Sequence, residues 1–129
     1  MAHATIEGLA GVLVWTEADR FPVMARFYRD TLGLTPRSDK SEFINFDWRG
    51  VRLSVGVHAG VRGPSREPLR VMLNLTVADI QGAHARLAAA GVVFSRAPER
   101  EEWGGWVATF ADPDGNILQL MQLPAPGAR

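Results

Sequence analysis

Thr16-Glu17-Ala18-Asp19 returns sixty residues later as Thr76-Val77-Ala78-Asp79. The same interval pairs Leu13 with Leu73, Ala25 with Ala85 and Arg26 with Arg86. Farther on, an interval of sixty-five pairs Gly50 with Gly115 and Leu53 with Leu118. The drift of five falls in loops. Agreement of order, turns and intervals predicts an internal duplication, with two modules of strand, helix and three strands.

Local signals fill in each module. In the first, about residues 8–57, the apolar run Leu9–Thr16 is too short for an ordinary helix and predicts a buried strand. Asp19 and Pro22 mark a helix start. Met24, Phe27, Tyr28 and Leu32 share one helical face, and Gly33 stops the helix. Strands are expected at Leu34–Arg37 and Glu42–Trp48. Arg49-Gly50 reads as a hairpin turn into Val51–Val57, which alternates as a strand. Residues 58–68 carry Gly, Pro, Ser and Arg without period, as a linker does.

The second module, about 69–123, opens with the strand Leu69–Val77. Asp79 predicts an N-cap; Ile80, Ala83 and Leu87 give the helix face, closed by Gly91. Val92–Arg96 is a short strand. Trp106–Phe110 and Asn116–Leu123 form a last pair around Asp112-Pro113-Asp114-Gly115. That turn chemistry accounts for the paired Asp112 and Asp114 better than acid–base work does. Pro124–Arg129 is expected to fray.

Composition bounds the function. The 129 residues suit one domain, and 47% hydrophobic with 22% charged is ordinary for a globular chain. Fourteen basic residues balance fourteen acidic ones, against the basic excess expected of a nucleic-acid binder. Cysteine is absent, which excludes disulfides, thiolate catalysis, zinc fingers and iron–sulfur clusters. Met1–Trp15 lacks the basic opening of a secretory signal, and no apolar run is long enough for a membrane span. These features lead to the expectation of a cytoplasmic protein with no nucleic-acid or membrane partner.

Two motifs carry a family resemblance. Phe27-Tyr-Arg-Asp-Thr-Leu-Gly-Leu34 follows the first helix, and Phe110-Ala-Asp-Pro-Asp-Gly-Asn-Ile-Leu-Gln-Leu120 precedes the end of the last strand. The layout resembles the vicinal oxygen chelate superfamily, which includes glyoxalase I, extradiol dioxygenases and bleomycin-resistance proteins. The resemblance spans about Leu9–Leu123. It implies an α+β fold of two βαβββ modules forming a cupped, eight-stranded mixed sheet with helices on the convex face. In metal-dependent members, the first and last strands of each module each offer a ligand, usually His and Glu. Carried over, those positions fall at Val12, Ser54, Met72 and Gln119. None is a His or a carboxylate, and such a set does not suit a hard divalent ion. The resemblance thus implies a member with no metal and no cofactor.

Strand alternation then lines the implied cup. With Ser54 and Gln119 inward, Arg52, Gly56 and His58 join the first, and Ile117 and Met121 the second. Val14 and Thr16 accompany Val12, while Asn74 and Thr76 accompany Met72. The expected site is Arg52, Ser54, His58, Asn74 and Gln119 among apolar walls, the usual makeup of a small-molecule site. Trp103-Gly-Gly-Trp106 reads either as a hairpin covering the core edge or as a flap stacking on a flat ligand. Trp15 has the wrong parity for the cup and is expected beneath a helix. His84 reads as structural, His3 as terminal, and Trp48 receives no position.

The leading expectation is a non-catalytic small-molecule binder, its ligand aromatic and anionic, resembling the bleomycin-resistance branch. The alternative is a lyase, isomerase or dioxygenase-like enzyme with His58 as base and Arg52 as anion holder. A third reading is an accessory subunit with a vestigial cup. Long open sheet edges predict a homodimer.

Overall fold

A computed structural model describes residues 4–126. His3 and the end of the tail, residues 127–129, lie outside them. The chain divides into two compact units, Met1–Arg62 and Gly63–Arg129, with a boundary inside the 58–68 segment.

The first unit holds β1 (Gly11–Thr16), α1 (Phe21–Arg26), β2 (Ser38–Lys40), β3 (Phe43–Trp48) and β4 (Val51–Val57). Its sheet runs β1-β4-β3-β2, with β1 parallel to β4 and the other pairs antiparallel. Arg49 and Gly50 both take positive φ, 53° and 92°. That is the two-residue hairpin whose twist matches the flanking strands. A 3-10 turn, Ala18–Arg20, leads into α1, and no side chain caps either segment. Asp19 and Pro22 fall at the helix start as expected, Asp19 in the 3-10 turn and Pro22 in the first turn of α1. Phe27–Thr31 extends the helix as a π turn, closed by a bond from the Leu32 N–H to the Phe27 carbonyl at 2.8 Å. A wider turn keeps residues four apart on one face. Met24, Tyr28 and Leu32 are accordingly all buried, together with Ile44, Phe46, Leu53 and Val55 of the sheet.

The second unit holds β5 (Leu73–Thr76), α2 (Ile80–Ala89), β6 (Phe94–Arg100), β7 (Trp106–Ala111) and β8 (Ile117–Gln122). Its sheet, β5-β8-β7-β6, repeats the topology of the first. Asp79 is the expected N-cap, accepting from the Gly82 N–H at 3.0 Å. Gln122 accepts from the Ile80 N–H at 2.8 Å and ties the helix to β8. Ile80, Leu87, Ala108, Phe110, Leu118 and Leu120 form the core. His84 stacks edge-on against Phe94, centroids 4.5 Å apart, in the structural role expected of it.

Among the described residues the fold is thus α+β, with eight strands arranged as two four-stranded mixed sheets. Three strands differ from expectation. β2 is Ser38–Lys40 and not Leu34–Arg37, because Leu34 still serves the helix end, where its N–H bonds the Tyr28 carbonyl. Leu69 precedes β5 in a 3-10 turn, Pro68–Arg70. β6 runs on to Arg100 across two register shifts. Pro98 is tolerated there because β6 is an edge strand. Arg96 bridges the irregular stretch, bonding Glu99 at 2.9 Å and Glu101 at 2.8 Å. Those bonds, Glu99 first, hold its guanidinium more firmly protonated than usual.

Candidate functional site

Residues in register on adjacent strands point to the same side of a sheet. In the first unit Leu13 is in register with Ser54, and Trp15 with Gly56. Val12 and Val14 instead match Leu53 and Val55, and Thr16 matches Val57. This corrects the expected parity of β1. Val12, Val14 and Thr16 lie on the helix-packed face, whereas Leu13 and Trp15 share the helix-free face with Ser54.

That face has three cross-strand rows. Trp15, Gly56 and Phe43 form the first, Leu13, Ser54, Asn45 and Ser38 the second, and Arg52 with Asp47 the third. The Trp15 and Phe43 ring centroids are 6.5 Å apart. Both rings lean over Gly56, where a Cβ would meet Phe43 at 2.7 Å and Trp15 at 3.0 Å. Glycine thus makes the aromatic paving possible. Trp15, expected beneath a helix, is the residue that sequence parity missed. Ser54 is buried, and so is Asn45 Oδ1, which has no hydrogen-bond partner. Arg52 is exposed, and among the described residues its guanidinium has no ion-pair or hydrogen-bond partner. Asp47, beside it, receives the Gly50 N–H at 2.9 Å and Arg37 at 3.4 Å.

His58 follows β4 and packs edge-on against Trp15 at 5.3 Å. Its Nδ1 accepts from the Gly60 N–H at 2.9 Å. That bond engages the Nδ1 lone pair. As a general base, His58 would first have to release the loop.

In the second unit Asn74 is in register with Gln119, and both occupy the helix-free face as expected. Gln119 donates to Thr109 Oγ1 at 3.1 Å within its own row. Trp106 is in register with Gln122, which points to the helix, so Trp106 stands on the face opposite Gln119. It lines a shallow cleft of about 220 Å³ with Arg100 and Pro124. Trp103 is half-exposed in the turn before β7, its indole lying across Gly105. Gly104, at φ 98°, makes that turn, which is closed by bonds from Gly104 N–H to the Glu101 carbonyl and from Glu101 N–H to the Gly105 carbonyl. The pair does not form a flap on the face of Asn74 and Gln119: the hairpin separates them, one at the turn and one against the helix side.

Within each unit the positions carried over for metal ligands therefore become the register pairs Leu13–Ser54 in the first and Asn74–Gln119 in the second. An alkyl group, a hydroxyl and two amides do not fit a hard divalent ion. Among the described residues no three His, Cys, Asp or Glu side chains come together as a metal site.

Residues 18–120 match the sequence profile of the glyoxalase/bleomycin resistance protein/dioxygenase superfamily, and the chain belongs to it. The uncharacterized protein YraH of Bacillus subtilis strain 168 is 29% identical over 116 residues, 80% of this chain and 90% of that protein. A bleomycin resistance protein of Klebsiella pneumoniae is 58% identical over 26 residues, 20% of this chain and 21% of its own. Among solved structures, a glyoxalase-related enzyme from Fulvimarina pelagi shares the fold at TM-score 0.70 and 23% identity, covering 91% of this chain and 88% of that one.

Proposed function

We propose that this chain binds a small aromatic or conjugated molecule carrying an anionic group, without a divalent metal, and acts by holding it. The observation that carries this reading is the chemistry of the two register pairs, Leu13–Ser54 in the first unit and Asn74–Gln119 in the second, neither of which offers imidazole or carboxylate. The ligand chemistry follows from the helix-free face of the first sheet. Trp15 and Phe43 offer apolar ring surface, and Arg52 offers an unpaired guanidinium suited to a carboxylate or phosphate. Trp15 takes the stacking role first assigned to Trp103 and Trp106. The catalytic alternative is weakened by the bond that occupies His58 Nδ1.

The reading includes a homodimer, because the edge strand β1 leaves Leu13, and the segment leading into edge strand β5 leaves Val71, with large exposed apolar surface. Native mass spectrometry of the purified protein tests both points: the expected species is a dimer without bound divalent metal. A stoichiometric, chelator-sensitive ion would overturn the metal-independent reading, and a monomer at every concentration the dimer. No helix among the described residues is long and apolar enough to cross a membrane. A cytoplasmic location completes the proposal, and recovery of the native protein in a secreted or periplasmic fraction would contradict it.

A ligand screen read by tryptophan fluorescence tests the anion site. Losing a charge-assisted hydrogen bond costs about 1.5–3 kcal/mol, so Arg52→Ala should weaken anionic hits roughly tenfold to hundredfold. Hits that bind Arg52→Ala as tightly as the parent would remove Arg52 from the site.

A further inference from the structure

The middle row of the same face holds a group that the fold leaves unanswered. Asn45 Oδ1 is buried and accepts no hydrogen bond. Ser54, its register partner, is buried as well, and its hydroxyl has no partner among the described residues. Among the described residues no other fully buried side-chain nitrogen or oxygen lacks a partner, and the Gln122 and Gln119 amides are met by Ile80 and Thr109. A buried acceptor without a donor is costly, and native structures contain few of them. The orphan lies between the Trp15–Phe43 row and the Arg52 row, so an occupant touching both spans its position and meets Oδ1 once the side chains that close it from water turn aside.

We propose that Asn45 is a specificity-determining residue: its Oδ1 selects ligands that carry an N–H or O–H donor between a flat apolar end and an anionic end. This rests on the reading of the face as an anionic-ligand site. Neighbouring rows on one face are two residues apart, about 7 Å along a strand. The ligand then presents ring, donor and acid at successive intervals of about that length, the ring against Trp15 and Phe43, the donor at Asn45 and the acid at Arg52. A molecule with the same ring and acid but no donor would leave Oδ1 buried and unpaired, and the site would discriminate against it.

The test uses two probes of matching span, N-(3-phenylpropanoyl)-4-aminobutyrate and its N-methyl amide counterpart, titrated calorimetrically into the full chain. The secondary amide is expected to bind at least about tenfold more tightly, the effect of satisfying a buried acceptor. In Asn45→Ala the two probes should bind within about twofold of each other, whereas Arg52→Ala should weaken both together while keeping their ratio. Because Asn45→Ala deletes an unpaired group, its Tm should not fall; a purely structural asparagine would lower it. Equal binding of both probes by the parent, or discrimination that survives Asn45→Ala, overturns the acceptor assignment and leaves the anionic aromatic reading standing. Failure of both probes to bind at millimolar concentration overturns both.

Discussion

Asp112→Ala is expected to destabilise the protein by about 3–5 kcal/mol, the sum of several lost bonds to a buried carboxyl group. Asp112 is 5% exposed, and its Oδ1 accepts from the Asp114 N–H at 2.9 Å and the Asn116 N–H at 3.0 Å. Its Oδ2 accepts from Asn116 Nδ2 at 2.9 Å. The same turn is pinned by Gly115 N–H on the Asp112 carbonyl and by Ser65 N–H on the Asp114 carbonyl. Alanine would leave buried donors unpaired at the junction of β7 and β8. Asp112→Asn keeps one acceptor oxygen and should cost less than half as much, about 1–2 kcal/mol. Urea denaturation of the three proteins would decide it, and equal losses for Ala and Asn would show that the hydrogen bonds are not the cause.

Gly11→Ala should lower Tm by about 10 °C, corresponding to roughly 3 kcal/mol of overpacking in a domain of this size. A Cβ at Gly11 would collide with the Arg52 carbonyl oxygen and stand 3.0 Å from the Arg52 carbonyl carbon. Both are backbone atoms, so no side chain can turn aside. The clash sits at the first register pair of β1 and β4, beside the bond from the Arg52 N–H to the Ala10 carbonyl at 3.0 Å. Gly8→Ala is the control, since nothing lies within 4 Å of a Cβ there. Thermal melts that shift alike for the two variants would refute the close approach.

The parts legible in sequence were those whose stereochemistry is local. Asp79 announces a cap, Arg49-Gly50 a hairpin, and Gly33 and Gly91 helix ends at φ 75° and 98°. The facing of β4 was legible too, because Val51–Val57 alternates. The facing of β1 was not. Val12, Leu13, Val14 and Trp15 are all apolar, so the strand carries no parity of its own and takes it from its partner. The polar edge strand β2 has no apolar pattern to find. The face of Trp106 was not legible for a related reason: two glycines and a bulged β6 intervene, and counting residues across them does not fix a face. Asn45 could not be singled out by residue type, since its distinction is an unmet hydrogen bond.

The 3-10 turn Ala18–Arg20 acts as an expansion joint. Matching the paired strands sets Leu13 against Asn74, sixty-one residues apart, while the buried helix positions set Phe21 against Ile80 and Tyr28 against Leu87, fifty-nine apart. The identical letters at sixty superpose neither. The first copy therefore makes its strand-to-helix connection with two residues more than the second, and the surplus is coiled into that turn, which contributes no buried residue to the core. Length can be gained or lost at this junction while both packed surfaces stay in place. Alignments between such halves should be anchored on strand pairs and buried helix positions, because matching letters at the junction report only where the slack is stored.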